Sequence, residues 1–150
     1  QKILDENILK EYQNRVRQYF ARMEAWLDND RTANILTDTN VAHIITQAFA
    51  EYESRSIWKV HSYVIMPNHL HWFFKPLDRS MSECILHFKR FTGRKINEYL
   101  EKQGRRFWQR EWFDHWARSP QESDRIMLYI KNKPVKAGLV VRAEDWPYLK

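Results

Sequence analysis

Cysteine, glycine and long apolar runs are what this chain has least of. The single cysteine, Cys84, excludes an intramolecular disulfide framework and a cysteine-rich zinc site. It reads as a small helix residue without special chemistry, in a chain suited to a reducing cytoplasm. Three glycines and five prolines go with the lack of any linker, internal repeat or low-complexity stretch. The 150 residues therefore read as one domain, 1–150. No run approaches the ~20 apolar residues of a membrane span. No charged-then-apolar secretory leader is present, and because the chain opens on Gln1 rather than Met, an upstream piece is expected.

What is present is a sizeable apolar fraction, 43%, enough for a core. The formal charge of +6, from 25 Lys and Arg against 19 Asp and Glu, favours a polyanionic partner. The aromatics are more telling, with 7 Trp, 7 Tyr and 8 Phe. Many must build the core. Basic residues interleaved with rings also suit single-stranded nucleic acid, charge for phosphates and ring faces for unstacked bases.

Residues 8–27 read as a helix, with Leu9, Tyr12, Val16, Tyr19, Phe20, Met23 and Leu27 at mostly three- and four-residue steps. Loop chemistry at Asp28-Asn29-Asp30 ends it. A second helix starts near Thr37-Asp38-Thr39 and runs to about Tyr52. Residues 57–66 and 69–75 read as strands of a hairpin turned at Pro67-Asn68, the second covered on both faces. A third helix, capped by Ser80 or Ser82, runs to about Lys102, with Gly93 as a weak point. Residues 107–118 are dense in aromatics and read as an extended segment or strand. A last helix spans 121–133, stopped by Pro134, and Leu139-Val140-Val141 is a short apolar run after it. The tail Asp145-Trp146-Pro147-Tyr148 reads as a docking segment.

The stretch Met66-Pro67-Asn68-His69-Leu70-His71 sets two imidazoles at i and i+2. On a strand these share one face, as a pair of metal ligands must. The alternative is two buried histidines satisfied by hydrogen bonds. Tyr129, on the last helix, offers a phenolic oxygen that can attack a phosphodiester and form a covalent phosphotyrosine. Its alternative is a helix-face tyrosine with a packed ring. With an unperturbed pKa near 10 it needs a divalent ion to polarise the phosphate. Two histidines and a tyrosine thus make a coherent phosphoryl-transfer set.

Several ordered blocks extend the pattern. They are Tyr63-Val64-Ile65-Met66-Pro67-Asn68-His69-Leu70-His71, Phe88-Lys89-Arg90-Phe91-Thr92 and Phe107-Trp108-Gln109-Arg110-Glu111-Trp112-Phe113-Asp114-His115. Tyr129-Ile130-Lys131-Asn132-Lys133-Pro134-Val135-Lys136-Ala137-Gly138-Leu139-Val140 and Asp145-Trp146-Pro147 complete them. Across most of residues 20–148 the chain resembles the REP-associated tyrosine transposases, relatives of single-tyrosine insertion-sequence transposases in the HUH superfamily. The resemblance implies an α+β fold, an antiparallel sheet with helices on one main face, ferredoxin- or RRM-like. The family usually carries a further strand before the first helix, which here lies upstream of Gln1 or is missing.

The resemblance also implies an activity. His69 and His71 would bind Mg²⁺ or Mn²⁺. Tyr129 would attack single-stranded DNA beside a REP-type hairpin, leaving a 5′-phosphotyrosine and a 3′-hydroxyl. It implies a bacterial, cytoplasmic, nucleoid-associated protein, a monomer or a homodimer, with no membrane partner. Many relatives carry Tyr where Trp112 stands, but the nucleophile aligns to Tyr129. Tyr99 and Tyr148 lack its helix-then-Pro-Val-Lys context.

Relatives place an amide four residues after the tyrosine to complete the metal shell, and here Lys133 stands there. An ammonium is a donor only and repels a cation. Three arrangements are open. Asn132 joins the shell through a shift of the helix end, or the histidines, water and DNA suffice, or Lys133 contacts the scissile phosphate. The alternative to a nuclease is a domesticated, catalytically weak hairpin binder. Lys89, Arg90, Arg94 and Lys95 form a basic flank, either solvated or on phosphates. Lys131, Lys136 and His115 are further DNA-contact candidates, and Trp108, Trp112 and Trp116 are candidate stacking residues whose commoner role is packing.

Overall fold

The computed structural model describes residues 2–30 and 33–150. The chain, read above as one domain, divides into two compact units, residues 1–32 and 33–150. The first holds helix α1, Lys2–Asn29, which starts earlier than the apolar periodicity predicts. Of its predicted stripe, Val16, Phe20, Met23 and Leu27 are partly buried, while Leu9, Tyr12 and Tyr19 are exposed.

The second unit carries α2 (Thr39–Ser54), β1 (Trp58–Ile65), β2 (Leu70–Pro76), α3 (Met81–Tyr99) and α4 (Pro120–Lys136). Caps fix the helix starts. The Asp38 carboxylate accepts from the backbone N–H groups of Asn40 and Val41 at 2.9 and 3.1 Å. Ser80 and Glu83 form a reciprocal capping box at α3. Ser119 accepts from the Glu122 N–H at 3.1 Å, with Pro120 in the first turn of α4.

The strands pair antiparallel, turned through Pro67-Asn68, with the Met66 N–H donating to the His69 carbonyl at 2.8 Å. The register shifts between Val60 and Ser62, leaving His61 as an extra residue. This bulge changes the phase of β1. Trp58, Val60, Tyr63 and Ile65 line up with Leu70, Trp72 and Phe74, and pack on Phe49 of α2 and Phe88 of α3. Val64 opposes His71, and with Phe73 packs on Ile126, Tyr129 and Ile130 of α4.

Helices therefore cover both faces of the hairpin, not one main face. The cause is the composition of β2, whose two faces are apolar or imidazole and each require cover. The tail docks as expected. Lys150 exchanges backbone hydrogen bonds with Tyr63 at 3.0 and 3.2 Å, Ile65 N–H donates to the Tyr148 carbonyl, and the Trp146 indole donates to the Ile65 carbonyl.

Three further expectations are corrected. α3 runs unbroken through Gly93 and ends at Tyr99, short of Lys102. α4 continues through Pro134 to Lys136, because one proline near a helix end removes one N–H bond without preventing a last turn. Of the two forms expected for residues 107–118, an extended segment or a strand, the strand is not formed; the segment carries neither helix nor strand. Among those residues no helix is long and apolar enough to cross a membrane.

Candidate active site

β2 and α4 meet over the second face of the hairpin. Val64 of β1 and Ile130 of α4 are buried in one apolar cluster there, which sets the sheet-to-helix spacing. The residue beside Ile130 is Tyr129, partly buried, with its ring edge-on to His71 at 5.5 Å between centroids and 89° between planes. His69 lies next to His71, with ring centroids 5.1 Å apart. The strand thus turns His71 to the side that α4 covers, and His69, one residue ahead of β2, lies beside it.

Asn68 sets the chemistry of the first histidine. Its side-chain oxygen lies 2.7 Å from His69 Nδ1. An amide oxygen only accepts, so Nδ1 carries a proton, and in the neutral ring the lone pair is on Nε2. That is the tautomer a metal ligand of this kind needs, held by an outer partner as ligating histidines usually are. The donor set, two imidazoles on one face with one tautomer fixed, fits a divalent ion.

Lys133 is 1% exposed, with its ammonium 5.9 Å from the Tyr129 ring centroid. The i,i+4 spacing puts both residues on one helix face. Asn132, one residue earlier, remains exposed, so the lysine rather than the amide turns in beside the tyrosine. Lys136 is exposed, and Lys131 pairs with Glu144 at 3.5 Å. An open groove runs beside Lys131, lined also by His61, Ser62, Met127 and Lys150.

The predicted basic flank of α3 divides. Arg90 and Lys95 are exposed, and Arg94 pairs with Glu98 at 3.8 Å on the surface. Lys89 instead donates to the carbonyls of Gln109 and Arg110, the latter at 3.0 Å. Burial pushes its ammonium below the ordinary lysine value, against the opposing pull of Glu111. It also lies 5.2 Å from the Trp112 ring centroid. His115 Nε2 sits 2.6 Å from Glu122. Trp112 and Trp116 are exposed, whereas Trp108 is partly buried and donates its indole N–H to Thr92 at 2.9 Å.

Sequence reasoning missed the supporting residues Asn68, Thr92, Asn97 and Glu122. A signal existed for two of them. Asn68 directly precedes the first histidine, and Ser119-x-x-Glu122 has the spacing of a helix cap. Cys84 is buried, and burial pushes its thiol up, as for an inert core cysteine.

Residues 25–133 match the family of IS200-like transposases. Among solved structures, one described as the REP-associated tyrosine transposase bound to a REP hairpin aligns with a TM-score of 0.65 at 20% identity. The alignment covers 81% of this chain and 70% of that one, a likeness of fold. No curated protein matches.

Proposed function

The chain belongs to the family of IS200-like transposases, and on that premise we propose that it is a metal-dependent single-stranded DNA endonuclease and strand transferase that cuts beside a REP-type hairpin. The observation that carries this reading is the edge-on meeting of Tyr129 with His71, beside His69. It brings a nucleophile and two candidate ligands together from separate rigid elements. The resolved neighbour's REP hairpin supports a hairpin as the partner here. The reaction would take place in the cytoplasm, on nucleoid DNA.

In the proposed step the Tyr129 phenolic oxygen attacks the scissile phosphorus and gives up its proton. A tyrosyl–phosphorus bond forms at the 5′ side. The bond to the 3′-oxygen breaks, and that oxygen takes a proton to become a free hydroxyl. Rejoining is the reverse displacement by a 3′-hydroxyl. His69 and His71 would hold Mg²⁺ or Mn²⁺, which when bound polarises the phosphate and stabilises the leaving oxygen. Asn68 keeps the His69 lone pair on Nε2, and Ile130 holds Tyr129 to the sheet.

The test is a covalent-adduct assay. Protein is incubated with labelled single-stranded hairpins, with Mn²⁺ or with chelator, then resolved on a denaturing gel. A metal-dependent protein–DNA band that Tyr129→Phe abolishes is the expected result. Absence of any band from hairpins that bind well would sink the nuclease reading.

One observation favours a second reading, a hairpin binder that cuts weakly. It is the buried Lys133 side chain, whose amino group lies 5.9 Å from the Tyr129 ring centroid. Lys133→Asn should then raise metal-dependent adduct formation. If it lowers it instead, the ammonium serves the phosphate.

A further inference from the structure

We propose that residues 107–118 form a tethered aromatic platform that stacks the unpaired bases flanking a DNA hairpin, with Lys89 as its positioning residue. The inference rests on the reading that the partner is DNA, and goes beyond it by naming where the unpaired strand is gripped.

Between α3 and α4 lie residues 100–119, a connection without helix or strand. Loops this long are commonly functional or disordered. This one is pinned along its length. Asn97 donates its side-chain N–H to the Arg105 carbonyl at 2.6 Å. The Trp108 indole donates to Thr92 at 2.9 Å. Phe107 and Trp108 lie directly on Gly93, where an added Cβ would stand 3.4 Å from Trp108 and 3.6 Å from Phe107. Lys89 holds the Gln109 and Arg110 carbonyls. At the far end one carboxylate, Glu122, receives the Arg118 backbone N–H at 2.8 Å and meets His115 at 2.6 Å.

Between these tethers Trp112 and Trp116 stand 37% and 60% exposed. Two tryptophans within five residues thus present ring surface to water from backbone held in place. Arg105, Arg106, Arg110 and Arg118 are exposed around them, against two acids, Glu111 and Asp114. Ring faces with interleaved guanidinium groups match unpaired nucleotides, whose bases offer π-faces and whose phosphates offer charge. Paired bases are already stacked and offer no face to the platform. That selects the single-stranded flank over the stem. Lys89 acts through others, since its ammonium is engaged by two loop carbonyls beneath the Trp112 ring.

The experiment compares a hairpin carrying a short unpaired flank with the same hairpin blunt-ended, in chelator, by anisotropy. A 2-aminopurine in the flank reports stacking by its quenching. The wild-type chain is expected to quench it and to prefer the flanked hairpin by about tenfold or more. Trp112→Ala and Trp116→Ala should each relieve the quenching and cut that preference. Lys89→Met should do so in part, and Lys89→Arg should recover some of it, with thermal melting confirming that each variant is folded. Tryptophan variants that quench and discriminate like the wild type overturn the platform while leaving the DNA reading intact. Failure of the wild-type chain to bind any of these DNAs overturns both.

Discussion

Tyr129 and the His69–His71 pair stand on a helix and a strand packed through Val64, Met66 and Ile130. Residues 107–118 carry their tryptophans on backbone that forms neither ladder nor helix. The first region is positioned by the regular period of its elements and by buried apolar contact. The second is positioned by a few side-chain bonds, from Lys89, Thr92, Asn97 and Glu122, to an otherwise irregular chain. Chemistry on a phosphorus atom needs atoms placed to fractions of an ångström, which rigid elements supply. Stacking on bases of varied sequence tolerates looser placement, and a tethered loop suffices.

The comparison breaks most visibly at Asn68. Asn68→Ala should weaken divalent-ion affinity by about 10- to 100-fold, since an outer partner that fixes a ligand's tautomer is lost. Calorimetric titration with Mn²⁺ checks this, and an unchanged affinity would mean that Asn68 does not set the His69 tautomer. The expected effect on the loop is none.

A smaller and opposite perturbation is Thr92→Val. Thr92 is fully buried, and its hydroxyl takes the Trp108 indole N–H and itself donates to the Phe88 carbonyl at 2.7 Å. Removing the hydroxyl at constant shape should cost about 1–3 kcal/mol in denaturant unfolding. It should also raise amide exchange in residues 107–110 without altering Mn²⁺ binding. Equal loosening of β2 would show that the two regions are not held separately.

The smallest expected effect comes from acid. Glu122 is held below the ordinary carboxylate range, first by the Arg118 backbone N–H and then by His115. A depressed carboxyl stabilises its tether above its unfolded value and loses that contribution as pH falls through the lowered one. The far end of the loop should therefore stay fixed at neutral and mildly acid pH and loosen only below the usual carboxylate range. Trp116 emission followed during an acid titration reports it, and Glu122→Gln should remove the transition.

Much of the fold was legible because its signals are local. The three- and four-residue steps of α1 and α2, the β-branched run of β1 and the Ser80 cap each lie within one element. The pair His69 and His71 was legible for the same reason, because the i, i+2 spacing alone predicts them side by side. The Lys89 ammonium was not. Its basic neighbours Arg90, Arg94 and Lys95 are exposed, and nothing within the helix tells that Lys89 points instead to carbonyls 20 and 21 residues away. Gly93 and Pro134 misled in the same manner, since each weakens a helix locally and was overruled by the surrounding structure.

The sequence by itself determined which residues could do chemistry, namely two imidazoles at strand spacing, a tyrosine on a helix ahead of Pro-Val-Lys, and a lysine four residues on. Only the tertiary structure decided that His71 meets Tyr129, that α4 covers one face of the hairpin while α2 and α3 cover the other, and that Lys133 is the residue turned inward. The physical reason is separation along the chain. Period and propensity act over a few residues, whereas the bulge at His61, the pairing of Val64 with His71 and the burial of Ile130 are settled by which distant surfaces can exclude water together.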